Sequence, residues 1–93
     1  MKKLSATEIQ EKLSALPGWA LEGDFISKTF VFTDFNEAFG FLTRVALISE
    51  KIDHHANWSG VYNQVTLKLS SHDAGGLTER DFRFAGMAEG VAS

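Results

Sequence analysis

Three histidines stand in one half of the chain, and two of them are adjacent: His54, His55 and His72. Glu50, Asp53, Tyr62 and Asp81 lie among and just after them. Histidine has the unperturbed pKa nearest neutrality, so it gives and takes protons at cellular pH. Histidines gathered among carboxylates therefore point to a proton-transfer site. Glu50 and His54 are four residues apart at the expected end of a helix. If that helix persists, they share a face and touch, and the carboxylate would select the tautomer of the imidazole. His55 would then point about 100° away round the helix. The two neighbours cannot do one identical job: they line different walls of a pocket, or one binds while the other transfers a proton. His72 ends a strand before a glycine-containing loop, where functional side chains concentrate.

Other chemistries fit less well. The chain has no cysteine, which excludes a thiolate nucleophile, a disulfide framework and a thiolate metal site. A zinc site of His54, His55 and His72 is awkward, because adjacent histidines do not readily serve one tetrahedral ion. Gly75-Gly76 is too short for a phosphate loop and lacks the following lysine. Structural roles compete for the same residues. His54 and His55 could act as cations at a helix C-terminus, and Asp81 as a capping residue. Trp19 and Trp58 could be core or rim aromatics. Tyr62 stands beside a ligand or ends a strand.

With 93 residues the chain is expected to form one domain, spanning 1–93, with one core. No run approaches the ~20 apolar residues of a membrane helix. Lys2 and Lys3 are not followed by an apolar segment, which argues against a signal peptide. Absence of cysteine fits a reducing cytoplasm. A net charge of −3 without a basic run makes direct nucleic-acid binding a poor expectation. The 8 phenylalanines either fill a small core or are partly buried between subunits.

The positioning elements are legible. Ser5 and Glu8 form an S-x-x-E capping box, with Leu4 and Ile9 as hydrophobic staple, and Pro17-Gly18 stops the first helix. A hairpin follows, turning at Gly23-Asp24, with its return strand from Phe25 to Phe32. Lys28 interrupts the apolar face of Ile26, Phe30 and Phe32, so it should snorkel or lie near a sheet edge. Asp34 and Glu37 open a second helix over about 35–51. Its main apolar stripe is Phe35, Ala38, Phe39, Leu42, Val45 and Ala46, with Phe41 and Ile48 on a second face. So wide an apolar arc suggests oligomerisation through this helix. The alternation from Trp58–Val61 to Val65, Leu67 and Leu69 survives through Asn63 and would allow one unbroken strand, but a second hairpin around Tyr62-Asn63-Gln64 is favoured, because asparagine tolerates the left-handed conformation. Thr78 caps the last helix, with Asp81 at the reciprocal position, Leu77 and Phe82 as staple, and an apolar face of Phe84, Met87, Ala88 and Val91. The expected fold is α+β, ordered α-β-β-α-β-β-α, with a four-stranded antiparallel sheet and three helices on one face.

Glu50-Lys51-Ile52-Asp53-His54-His55, Trp58, Val61-Tyr62-Asn63, Ser71-His72-Asp73, Gly76-Leu77-Thr78 and Asp81 together resemble the pterin-4a-carbinolamine dehydratase family. The resemblance spans nearly the whole chain and is weakest in the first helix. One departure is Ala56, where the family usually has proline; alanine gives up the φ restraint that would hold His55 out of helical geometry. The resemblance implies a cofactor-free and metal-free dehydratase. It would convert 4a-hydroxy-tetrahydropterin, released by aromatic amino acid hydroxylases, to quinonoid dihydropterin and water. It implies His54 and His72 as the acid–base pair and His55 as a pterin holder that can accept the N5 proton. It further implies Glu50 orienting His54 and Asp81 supporting His72. Binding or support would come from Asp53, Trp19, Trp58, Tyr62, Ser71 and Asp73. A homodimer or homotetramer is also implied, as is a second role seen in animal members, which serve as dimerisation cofactors for a homeodomain transcription factor. The competing expectations are a non-enzymatic protein-binding module on the same fold and a metal-dependent hydrolase.

Overall fold

In a computed structural model, which describes residues 2–92, seven expected elements appear in the expected order. Met1 and Ser93, the ends of the expected domain, lie outside the described residues. Helix α1 spans Ala6–Leu13 and carries the complete capping box: Ser5 N–H donates to Glu8 Oε1 at 2.8 Å, and Glu8 N–H to Ser5 Oγ at 3.2 Å. The Ser5 backbone N–H and, next, its side chain hydrogen-bond the Glu8 carboxyl and hold it below its ordinary pKa. The helix ends at Leu13, earlier than Pro17-Gly18, and successive turns lead to the proline.

Strands β1 (Ala20–Glu22) and β2 (Phe25–Val31) pair antiparallel round Gly23, whose φ of 60° is cheap only for glycine. Strands β3 (Asn57–Val61) and β4 (Gln64–Leu69) form the second hairpin. The sheet order is β1-β2-β4-β3, so the two return strands lie at the centre. The left-handed residue of the second turn is Tyr62, at φ 49°, and not the asparagine. Asn63 is used as an anchor instead: its Nδ2 donates to Phe32 O at 2.9 Å, while Phe32 N–H donates to Asn63 O at 2.8 Å.

Register places Ile26 opposite Leu69, Lys28 opposite Leu67 and Phe30 opposite Val65. All but Lys28 are buried, so this face of the central strands makes the floor of the core. Lys28 is not at an edge. Its ammonium leaves the core by reaching Glu89 at 2.6 Å on helix α3 (Glu79–Ala92) and Pro17 O at 3.1 Å. Trp19 Nε1 donates to the same carboxylate at 3.0 Å. The opposite face carries Thr29 and Thr66, hydrogen-bonded to each other across the strands at 2.8 Å.

Helix α2 spans Phe35–Ile52. Its buried line is Ala38, Phe41, Val45, Ile48 and Ser49. The expected stripe is thereby corrected: Phe41 and Ile48 lead into the core, while Phe35 and Phe39 are more than half exposed. The sheet lies beneath the 38–41–45–48 line, and periodicity alone could not choose between two adjoining apolar faces. Phe30 and Phe41 pack with ring centroids 4.6 Å apart, and Phe84 of α3 is fully buried. Each such ring contributes roughly 1.5–3 kcal/mol by leaving water. Among the described residues no helix is long and apolar enough to cross a membrane.

Candidate active site

The C-terminus of α2 decides how the histidine pair is presented. Asp53 takes left-handed geometry (φ 51°, ψ 49°), which aspartate tolerates better than most residues. The N–H groups of both Asp53 and His54 return to Ser49 O. The helix therefore stops before the histidines, and the i,i+4 relation of Glu50 to His54 does not survive. Glu50 Oε2 instead accepts from His55 Nε2 at 2.8 Å, in a pair that is largely exposed. The expected contact of Glu50 is corrected accordingly: its carboxylate meets His55, not His54.

His54 turns inward and is 8% exposed. Its Nε2 lies 2.6 Å from Asp81 Oδ1, and its ring meets Phe84 edge-on at 6.3 Å. The expected pairing of Asp81 with His72 is thus also corrected, since the carboxylate supports His54. Asp81 is fully buried, and its other oxygen accepts from Ser71 Oγ and from Thr78 N–H, each at 2.9 Å. Because Ser71 spends its proton on Asp81, its oxygen is left to accept from Thr78 Oγ1, 2.7 Å away. Thr78 Oγ1 in turn accepts from Arg80 N–H at 3.2 Å. One oriented chain of donors runs from the first turn of α3 through two buried hydroxyls to a buried carboxylate. With Asp81 ionised, His54 Nε2 must donate, which leaves Nδ1 as the nitrogen of the neutral ring that can take a proton.

His72 begins a short 3-10 turn, His72–Ala74, immediately after Ser71. Ser71 and Gly76 exchange backbone hydrogen bonds at 2.9 and 3.3 Å, and Gly75 makes the return at φ 76°. The His72 ring is exposed and has no hydrogen-bond partner among the described residues. Asp73 Oδ1 pairs with Arg80 Nη2 at 2.6 Å. The guanidinium holds the Asp73 carboxyl below its ordinary pKa. The Ser71 hydroxyl thus ties the backbone beside His72 to the carboxylate that holds His54. Among the described residues, no group of three or more His, Asp or Glu side chains gathers in a geometry able to hold a metal ion.

The remaining expected site residues disperse. Trp19 is 6% exposed, in the core against Phe30 and bound to Glu89. That placement takes its ring out of any open pterin-bordering position. Asp53 contributes its backbone turn. Trp58 and Tyr62, both more than half exposed, line an apolar groove with Phe35, Phe39, Leu42 and Val61. The groove opens at the N-terminal end of α2, whereas His54 follows its C-terminal end. Thr78 and Arg80 carry hydrogen bonds in the site that sequence reasoning did not assign. Thr78 was visible only as a helix cap, and its link to Ser71 depends on the loop closing.

The family model for pterin 4 alpha carbinolamine dehydratase matches residues 2–91. A relative from Rhodopseudomonas palustris (strain HaA2), provisionally named pterin-4-alpha-carbinolamine dehydratase, is 50% identical over 99% of this chain and 93% of its own. One from Rhizobium johnstonii with the same provisional name is 50% identical over 100% of this chain and 94% of its own. The crystal structure of a transcriptional coactivator/pterin dehydratase from Brucella melitensis superposes with a TM-score of 0.95 at 39% identity, covering 99% of this chain and 100% of that one. A pterin dehydratase-like protein identified as a RuBisCO assembly factor in the alpha-carboxysome shares the fold at a TM-score of 0.68 and 22% identity, over 81% of this chain and 87% of that one. By its matched length and its full-length relatives, this chain belongs to the pterin 4-alpha-carbinolamine dehydratase family of hydro-lyases.

Proposed function

We propose that the chain dehydrates 4a-hydroxy-tetrahydropterin to quinonoid dihydropterin and water by histidine acid–base catalysis. The observation that carries this reading is the buried His54–Asp81–Ser71–Thr78 network lying one residue from His72. A hydroxyl leaving C4a needs a proton, and the N5 lone pair that replaces the C–O bond leaves N5 to shed its own. Asp81 holds His54 with Nε2 donating, so Nδ1 is the atom that exchanges protons with substrate. His72 serves as the partner acid or base. His55, polarised by Glu50, holds the pterin and can accept the N5 proton. A positioned imidazole contributes about 10²–10⁴-fold to such steps. The pterin is the substrate, and the chemistry calls for no resident cofactor or metal. The reaction would recycle the pterin of an aromatic amino acid hydroxylase, as in phenylalanine hydroxylation, in the cytoplasm.

A second reading rests on a different observation. The exposed apolar groove of Phe35, Phe39, Leu42, Trp58, Val61 and Tyr62 gives the chain a surface suited to a protein partner. We propose that a second copy of the chain covers it in a homodimer or homotetramer. A non-enzymatic role of the kind named for the Brucella melitensis relative, a transcriptional coactivator, would use the same helical side.

Stopped-flow absorbance of pterin carbinolamine decay separates the readings. Wild type should accelerate decay. His54→Ala and His72→Ala should each lower kcat by about 10²-fold or more with the fold retained by circular dichroism. Undiminished turnover in the double variant would sink the acid–base assignment.

A further inference from the structure

We propose that Arg80 is a positioning residue for His72, acting through Asp73 to hold the His72–Ala74 turn in place. The inference rests on the dehydratase reading and adds to it the side chain of a residue that joins the His54 network only through its backbone N–H.

The imidazole of His72 has no hydrogen-bond partner among the described residues, so its placement is inherited from the backbone that carries it. That backbone is anchored on both sides. Upstream, Ser71 is fully buried and bound to Asp81 and Thr78. Downstream, the first side-chain anchor is the 2.6 Å contact of Asp73 Oδ1 with Arg80 Nη2. Beyond Asp73 the chain passes to Gly75 in left-handed geometry, a residue that resists local opening poorly. Arg80 is itself well placed to be the fixed end, because it lies in the first turn of α3 with its N–H on Thr78 Oγ1.

The guanidinium geometry supports this assignment. Arg80 Nε is buried without an acceptor among the described residues. An unsatisfied buried donor is unfavourable, yet the side chain keeps the conformation that reaches Asp73. Asp73 is largely exposed, and exposed ion pairs contribute little to global stability. The consequence of the contact therefore falls on local order in the turn. A displacement of about 1 Å in a catalytic group costs on the order of 10²-fold in rate.

The test uses Arg80→Gln, Asp73→Asn, the double variant and Arg80→Lys in the full chain. Backbone ¹⁵N relaxation of residues 72–75 is measured beside kcat, KM and the thermal midpoint. Each single variant should lower order in the turn and reduce kcat by about 10- to 100-fold, with KM within about two-fold of wild type. The double variant should be no slower than the slower single, since both break one link. Arg80→Lys should restore part of the loss. Order unchanged in Arg80→Gln would overturn the proposal while leaving the dehydratase reading intact. Multiplying losses in the double variant, or a change in KM alone, would also overturn it and make Arg80 a direct substrate contact. A wild-type chain without dehydratase activity would instead remove the functional reading, and the catalytic half of the proposal with it.

Discussion

Asp81 is where three donors meet: His54 Nε2, Ser71 Oγ and Thr78 N–H, from three separate stretches of chain. A carboxylate is acceptor-only, so all three protons are satisfied by one side chain at the cost of burying its charge. Asparagine in its place would present an N–H₂ toward at least one donor. Asp81→Asn is expected to lower the unfolding free energy by about 1–3 kcal/mol. Its kcat should fall by about ten-fold or more, because the tautomer of His54 is no longer imposed. Denaturant unfolding and stopped-flow turnover of the same preparation check both halves; full activity in a destabilised variant would reduce Asp81 to a structural cap. At this scale the sequence displayed the residue types but mismatched the partners. Glu50 was legible as an imidazole partner and Asp81 as a support, yet the two were assigned to the wrong rings.

The elements explain the exchange. Helix-based spacing holds only while the helix continues, and α2 ends in the left-handed Asp53 one residue before His54. No rule of spacing foretold that turn, whereas the Ser5–Glu8 capping box and the hairpins rest on local chemistry and were readable. The β3–β4 turn makes the same point in smaller form. Asparagine was the expected left-handed residue, but Asn63 is drawn away by its two hydrogen bonds with Phe32, and Tyr62 bears the strain. A non-glycine residue there loses about 1–2 kcal/mol, and asparagine loses less. Since Tyr62 is largely exposed, Tyr62→Asn is expected to stabilise by about 0.5–1 kcal/mol, raising Tm by about 2–8 °C. A lower Tm in differential scanning calorimetry would mean that the ring's contacts in the groove outweigh the backbone strain.

For the molecule as a whole, the informative surface is the one that stays uncovered. Phe35 and Phe39 stack on each other at 5.7 Å while more than half exposed, and Leu47 and Val61 are exposed beside or beyond them. β3 is an edge strand, so its outward backbone groups are also unpaired within the sheet. A second copy would bury both. Sedimentation velocity should give a species of two or four chain masses for wild type, and Phe39→Glu should shift it toward one. A wild-type chain sedimenting as a monomer at tens of micromolar would count against this surface as a self-interface. The width of the apolar arc on α2 foretold an excess of apolar surface, but not that Phe41 and Ile48 would take the core and Phe35 and Phe39 the outside.

What the sequence determined by itself was everything set by near neighbours: the capping box of Ser5 and Glu8, the two hairpins and, from the succession of such local signals, the α+β order. Each depends on residues within a few positions of one another, where backbone geometry leaves little choice. Tertiary structure alone decided which carboxylate meets which imidazole, which face of α2 is buried, and that Ser71 and Thr78 close a hydroxyl chain onto Asp81. Those pairings join residues up to 27 positions apart. They depend on where a helix stops and how a loop returns, and a single left-handed residue is enough to redirect them.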